Sequence, residues 1–131
     1  SETGIKQTRD AEISMSPSYL AITMFFEVDQ FGPNPTGRLA MRLTFNTVNG
    51  VVSPKFTYFH PQSTSILPDD WIAATIYAKQ EEILENIKIE LNALLADPAF
   101  NLIDSETERL FSIETAEQAA LATICPLHTK V

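Results

Sequence analysis

Two stretches in the first half of the chain alternate apolar and polar residues with a period of two. From Tyr19 to Asp29, Leu20, Ile22, Met24, Phe26 and Val28 take one face, while Tyr19, Ala21, Thr23, Phe25, Glu27 and Asp29 take the other. Arg38–Val48 repeats the pattern, with Leu39, Met41, Leu43 and Phe45 opposite Arg38, Ala40, Arg42, Thr44 and Asn46. That period belongs to a half-buried β-strand, whose successive side chains point to opposite sides. Between them, Phe31-Gly32-Pro33-Asn34-Pro35-Thr36-Gly37 is dense in turn residues and reads as a loop. Asn49-Gly50 then suits a two-residue type I′ hairpin turn, in which both positions need positive φ. Such a turn pairs Val48 with Val51, Leu43 with Phe56 and Met41 with Tyr58, so apolar residues meet apolar residues. Pro54 cannot donate to a ladder, which puts Val51–Phe59 at the sheet edge, with Tyr19–Asp29 on the far side of Arg38–Val48. Residues 1–17 are polar and read as a loose N-terminal arm, with room for a short strand at Glu12–Met15.

From His60 the pattern changes. His60-Pro61-Gln62-Ser63-Thr64-Ser65 reads as a connection, and Leu67-Pro68-Asp69-Asp70 as a helix start, since an aspartate there caps free N–H groups. The helix is predicted to reach Leu95 or Ala96, before Asp97-Pro98. At 100° per residue, Ala73, Ile76, Tyr77, Ile83, Leu84, Ile87, Leu91, Leu94 and Leu95 share a face, opposite Glu81, Glu82, Glu85, Lys88 and Asn92. Such a helix would be roughly 40 Å long, more than a small sheet needs, so it breaks once or projects at one end. Ser105-Glu106-Thr107-Glu108 and Thr115-Ala116-Glu117-Gln118 both fit capping boxes, which predicts two shorter helices before Cys125-Pro126. The expectation is a single α+β domain over residues 1–131. An antiparallel meander of three to four strands packs against one long helix and two shorter C-terminal ones.

Composition adds one fact to this picture. Of the 131 residues, 44% are hydrophobic and 20% charged, ordinary globular usage with no apolar run long enough to span a membrane. The net charge is −8, and it is uneven. Residues 1–68 balance five acids with five bases, whereas residues 69–131 carry twelve acids against four bases. No basic stripe is visible along the sequence, so neither direct nucleic-acid binding nor attraction to an anionic membrane is expected. A basic protein partner would be favoured through faster encounter. One cysteine and no basic-then-apolar leader at the start point to the cytoplasm.

The search for chemistry is mostly negative. Cys125-Pro126-Leu127-His128 has the spacing of half a metal site without a second half, so no metal or cofactor is expected. The carboxylate pairs, Asp69/Asp70, Glu81/Glu82/Glu85 and Glu106/Glu108, are neighbours on solvated helix faces rather than pairs split by a cleft, as acid–base catalysis requires. No phosphate-cradling glycine loop and no nucleophile elbow occur. The chain does not read as an enzyme.

Ser53-Pro54-Lys55-Phe56-Thr57-Tyr58-Phe59-His60-Pro61 and Leu94-Leu95-Ala96-Asp97-Pro98 resemble fragments of the ubiquitin-conjugating (E2-like) fold, which also places a strand meander before helices. The spacing from Lys55 to His60 is shorter here, and no cysteine follows the His-Pro pair. The resemblance therefore implies a catalytically dead adaptor.

The leading expectation is a non-enzymatic protein-binding module that acts as an inhibitor, adaptor or assembly factor. Small phage- or mobile-element-encoded inhibitors of host systems have this character. A second expectation is a DNA mimic whose glutamates stand in for phosphates on a nucleic-acid-binding protein. A third is a small-molecule or enzymatic cleft between sheet and helices. The partner-binding candidates are Glu81, Glu82, Glu85, Ile89 and Trp71. On the helical wheel, Trp71 and Ile89 fall beside the glutamates, away from the core stripe. Three readings follow: Trp71 precedes the regular helix; a kink buries Ile89; or Ile89 anchors a protein partner or a second copy of the chain, as in a homodimer.

Overall fold

The structure, a computed structural model, describes residues 5–16, 18–28, 34–64, 70–99 and 105–124, without the side chains of residues 15, 105–109 and 111. It is α+β. Four strands, β1 (Ile5–Met15), β2 (Leu20–Val28), β3 (Thr36–Val48) and β4 (Val51–Ser63), form one antiparallel sheet in the order β1-β2-β3-β4. Three helices, α1 (Trp71–Ala78), α2 (Gln80–Ala96) and α3 (Ser105–Ile124), cover one face of it. The alternating positions of β2 and β3 explain why: Leu20, Ile22, Met24, Phe26, Val28, Leu39, Met41 and Leu43 are all buried on that face.

The N-terminal arm is a correction. It forms β1, paired with β2 along its length, with register shifts between Gln7 and Arg9 and between Arg9 and Glu12. An edge strand needs little apolar surface, and here Ile5 and Ala11 supply it. The loop before β3 is also shorter than expected, because Thr36 and Gly37 already pair with Glu27 and Phe26.

The hairpin holds as read at its tip: Asn49 and Gly50 have φ of 53° and 78°, Val48 pairs with Val51, and Leu43 with Phe56. The expected pair Met41–Tyr58 does not form. A bulge opposite the Arg42/Leu43 step inserts Thr57, so Met41 faces Phe59 and Arg42 faces Tyr58. The slip turns Tyr58 outward and brings Phe59 and Pro61 to the core side. It also lets β4 run on through His60 and Pro61, which had read as a connection.

The free edge of β4 is closed at both ends by side chains. A two-residue turn makes Val48 and Val51 a hydrogen-bonded pair, and alternation from there turns Val52 and Pro54 away from β3. Pro54 therefore costs the ladder no bond. The Val52 N–H donates to Asn92 Oδ1 at 3.0 Å, and Asn92 Nδ2 donates to the Val52 carbonyl at 2.9 Å. At the other end the Ser63 N–H and hydroxyl donate to Asp70, at 2.9 Å and 2.5 Å.

Asp70 is also the N-cap of α1, accepting from the Ala73 N–H at 3.0 Å. Partial burial alone would raise its pKa. The Ser63 hydroxyl and the N–H groups of Ala73, Ser63 and Ile72 outweigh that and hold its carboxyl below the usual aspartate value. A carboxylate with a depressed folded pKa contributes stability above its unfolded pKa and loses it as pH falls through the folded value. Asp70→Ala should therefore cost about 1–2 kcal/mol at neutral pH. Urea titrations of both proteins should show the gap narrowing below about pH 4, since the unfolded value is about 3.9. A gap constant down to pH 2 would remove the charged form from the argument.

The long helix breaks once, at Lys79, whose N–H donates back to the Ile76 carbonyl at 3.0 Å in a tightened turn. The two predicted C-terminal helices are in fact one. Ile113, Ala116, Ala120 and Ile124 form an unbroken buried stripe through the second capping-box sequence, so tertiary packing overrides that start signal. The alanines let α3 lie close against α2, and Gln7 Nε2 of β1 donates to Glu117 Oε1 at 2.9 Å.

Candidate functional site

With Ile83, Ile87 and Leu91 buried, the opposite ridge of α2 carries Glu82, Glu85, Ile89, Ala93 and Ala96, all exposed. Glu81 and Glu82 sit in the first turn, where the helix dipole favours acids. Lys79 Nζ lies 3.1 Å from Glu82, an exposed pair, and among the described residues neither Glu81 nor Glu85 forms an ion pair. Ile89 is 54% exposed. The break at Lys79 is ten residues upstream and does not bury it. Trp71 is different: it is the first residue of α1, half-buried and packed against the core. Since the break separates its wheel position from that of α2, Trp71 does not share a surface stripe with Ile89.

Beside the ridge, α2 and α3 enclose an open groove of about 780 Å³, lined by Asn86, Glu90, Glu114, Thr115, Gln118 and Ala122 among others. Its floor is tied across the helices, with Asn86 Nδ2 donating to Thr123 Oγ1 at 2.8 Å. That hydroxyl donates in turn to the Ala119 carbonyl at 2.8 Å. Two carboxylates, amides and an apolar shoulder can receive a lysine or arginine side chain. Among the described residues no group of three His, Cys, Asp or Glu side chains is placed to hold a metal ion.

The remaining candidates are dispersed. His60 is exposed within β4, its ring 5.9 Å from that of Tyr58. The His-Pro pair of the ubiquitin-conjugating resemblance thus lies inside a strand. Leu94-Leu95-Ala96 ends α2, with Asp97 as C-cap. Cys125 and His128 lie outside the described residues, as do the side chains of Glu106 and Glu108. No described helix is long and apolar enough to cross a membrane.

One feature escaped the sequence reading: the uncovered face of the sheet gathers the bases of residues 1–68. Cross-strand partners share a face, and the register places Arg9, Phe25, Arg38 and Gln62 in one row, with Ala21, Arg42 and Tyr58 in another. The Arg9 guanidinium lies 4.1 Å over the Phe25 ring and that of Arg42 4.7 Å over Tyr19. Glu27 pairs with Lys6 at 3.5 Å and Glu12 with Arg9 at 2.9 Å. Among the described residues Arg38, Arg42 and Lys55 form no ion pair, and all three are exposed. Counting charge by strand face, rather than by half of the chain, is the signal that would have found this surface.

Compared with protein-family models, curated proteins and solved structures, the chain matches none.

Proposed function

We propose that the chain is a protein-binding module, working as an inhibitor, adaptor or assembly factor, whose docking surface is the outer ridge of α2 with the adjoining α2–α3 groove. The observation that carries this reading is Ile89, a β-branched apolar residue 54% exposed between Glu82 and Glu85 on one side and Ala93 and Ala96 on the other. A small apolar centre ringed by polar groups is the arrangement in which a few residues supply most of an interface's energy. Glu81, Glu85, Glu90 and Glu114 would meet lysines or arginines of the partner and speed its approach. The proposal places the protein in the cytoplasm, where a single cysteine stays reduced.

Ile89→Asp tests it directly. The side chain is more than half exposed and lies outside the core cluster, so the circular dichroism spectrum should match wild type and stability should stay within about 0.5 kcal/mol of it. Capture of a stoichiometric basic protein from the host cell should fall at least tenfold, since an interface anchor is worth about 2 kcal/mol or more. Unaltered capture by a folded Ile89→Asp protein would sink the ridge as the docking surface. Concentration-dependent dimerisation that the same substitution abolishes, in sedimentation without any partner, would assign Ile89 to a second copy of the chain instead.

A further inference from the structure

We propose that the uncovered sheet face is a second binding surface, and that it takes single-stranded nucleic acid, with Arg38, Arg42 and Lys55 on phosphates and the rings beside them under bases. All three helices lie on the opposite side of the sheet, so among the described residues nothing covers this face. Its floor is low: Ala21, Thr23 and Ala40 stand in the middle of β2 and β3. Long cationic side chains rise around that floor, and Tyr58, 51% exposed, lies next to Arg42 in the register and near His60.

The chemistry selects among occupants. A second copy laid face to face would set Arg38, Arg42 and Lys55 against their own equivalents. A purely carboxylate ligand would satisfy the cations but leave the rings unused. Single strands use both, because phosphates take the cations while bases stack on aromatic rings and on guanidinium planes. The Arg42 guanidinium already lies over the Tyr19 ring and forms no ion pair among the described residues, which leaves it able to donate to a phosphate. The net charge of −8 does not forbid this. The acids that the sheet face itself carries among the described residues, Glu12 and Glu27, are paired with Arg9 and Lys6, while Glu81, Glu82, Glu85 and Glu90 stand exposed on α2, on the helical side.

The test uses a fluorescein-labelled twelve-nucleotide oligouridine RNA and the full chain, followed by anisotropy from low salt to about 0.15 M. Saturable binding is expected at micromolar to about 100 µM protein, within the usual range of non-specific binding. Three phosphate contacts on a single strand give a slope of log K against log salt of about −2. Arg38→Gln with Arg42→Gln should weaken binding at least about tenfold and flatten that slope by about 1.4. Tyr58→Ala should cost about tenfold, and Tyr58→Phe should restore it. Glu81, Glu82 and Glu85→Gln, on the other side, should not weaken RNA binding. No anisotropy change up to about 100 µM overturns the proposal. So does equal binding of a labelled polyglutamate peptide, which would mark an acidic protein segment as the ligand. Self-association that needs both Arg38/Arg42 and the α2 glutamates, with no RNA bound, would assign the face to a second copy's acidic ridge.

Discussion

Leu43→Ala is expected to lower the stability of the chain by about 2–5 kcal/mol, the range for a leucine removed from a core that collapses only partly around the cavity. Leu43 is fully buried in β3 and is flanked in register by Leu20 on β2 and Phe56 on β4. From the other side it meets the helical layer, so the lost methyl groups have no neighbour free to move in. The check is a urea titration monitored by circular dichroism, in which the midpoint should fall while the slope stays constant. An unchanged midpoint would mean that β3 turns the opposite set of side chains inward.

Gly37→Ala should cost about 1–3 kcal/mol by overpacking, although the position lies near the end of a strand. A Cβ there would stand 2.5 Å and 2.6 Å from Cε2 and Cζ of Phe26, and 2.8 Å from the Gln62 carbonyl oxygen. The ring cannot yield, because Phe26 is fully buried and is among the largest such side chains in the protein. The carbonyl belongs to β4, whose position the sheet fixes. If the ring is the obstacle, Phe26→Leu should partly rescue Gly37→Ala. Combined losses should then be smaller than the sum of the two single changes in a double-mutant cycle. Additive losses would place the strain elsewhere, and a Gly37→Ala protein as stable as wild type would remove the close approach altogether.

Where a strand has one wet and one dry face and a turn of fixed chemistry, its pairing was legible. Leu20 to Val28, Leu39 to Leu43 and the Asn49-Gly50 turn all behave as their residues dictate. The bulge at Thr57 was hidden because Phe56, Tyr58 and Phe59 give β4 apolar residues in both phases, so either register could bury rings. β1 was hidden for the opposite reason. Ile5 and Ala11 share a phase, but Gln7 and Arg9 fill the positions between them across its two register shifts, so no apolar alternation shows, and its outer edge is free to be polar. Nothing local marks the break at Lys79, which has neither glycine nor proline beside it. The packing of α1 on β4 and of α2 on both β4 and α3 accompanies it.

The acidic ridge was legible because a helical wheel needs only the sequence, and Glu81, Glu82, Glu85 and Ile89 stand where the wheel puts them. Trp71 was misplaced by the same wheel, which carried one phase across a break it could not see. The basic sheet face was illegible for a different reason. Arg38, Arg42 and Lys55 come from β3 and β4, which hold no acid, but a count over the whole first half cancels them against acids between residues 2 and 29, and only the register brings Arg38 and Arg42 between Phe25, Tyr58 and His60.

The ridge as the docking surface for a basic protein is tested most directly by the rate of association. The captured partner is mixed with wild-type chain and with the Glu81→Gln, Glu82→Gln, Glu85→Gln protein, from low salt to about 0.15 M. Steering by the ridge predicts a wild-type rate that falls as salt rises, and a triple variant that starts slower and changes little. A wild-type rate indifferent to salt, or a triple variant that associates as fast as wild type at every salt concentration, would contradict it.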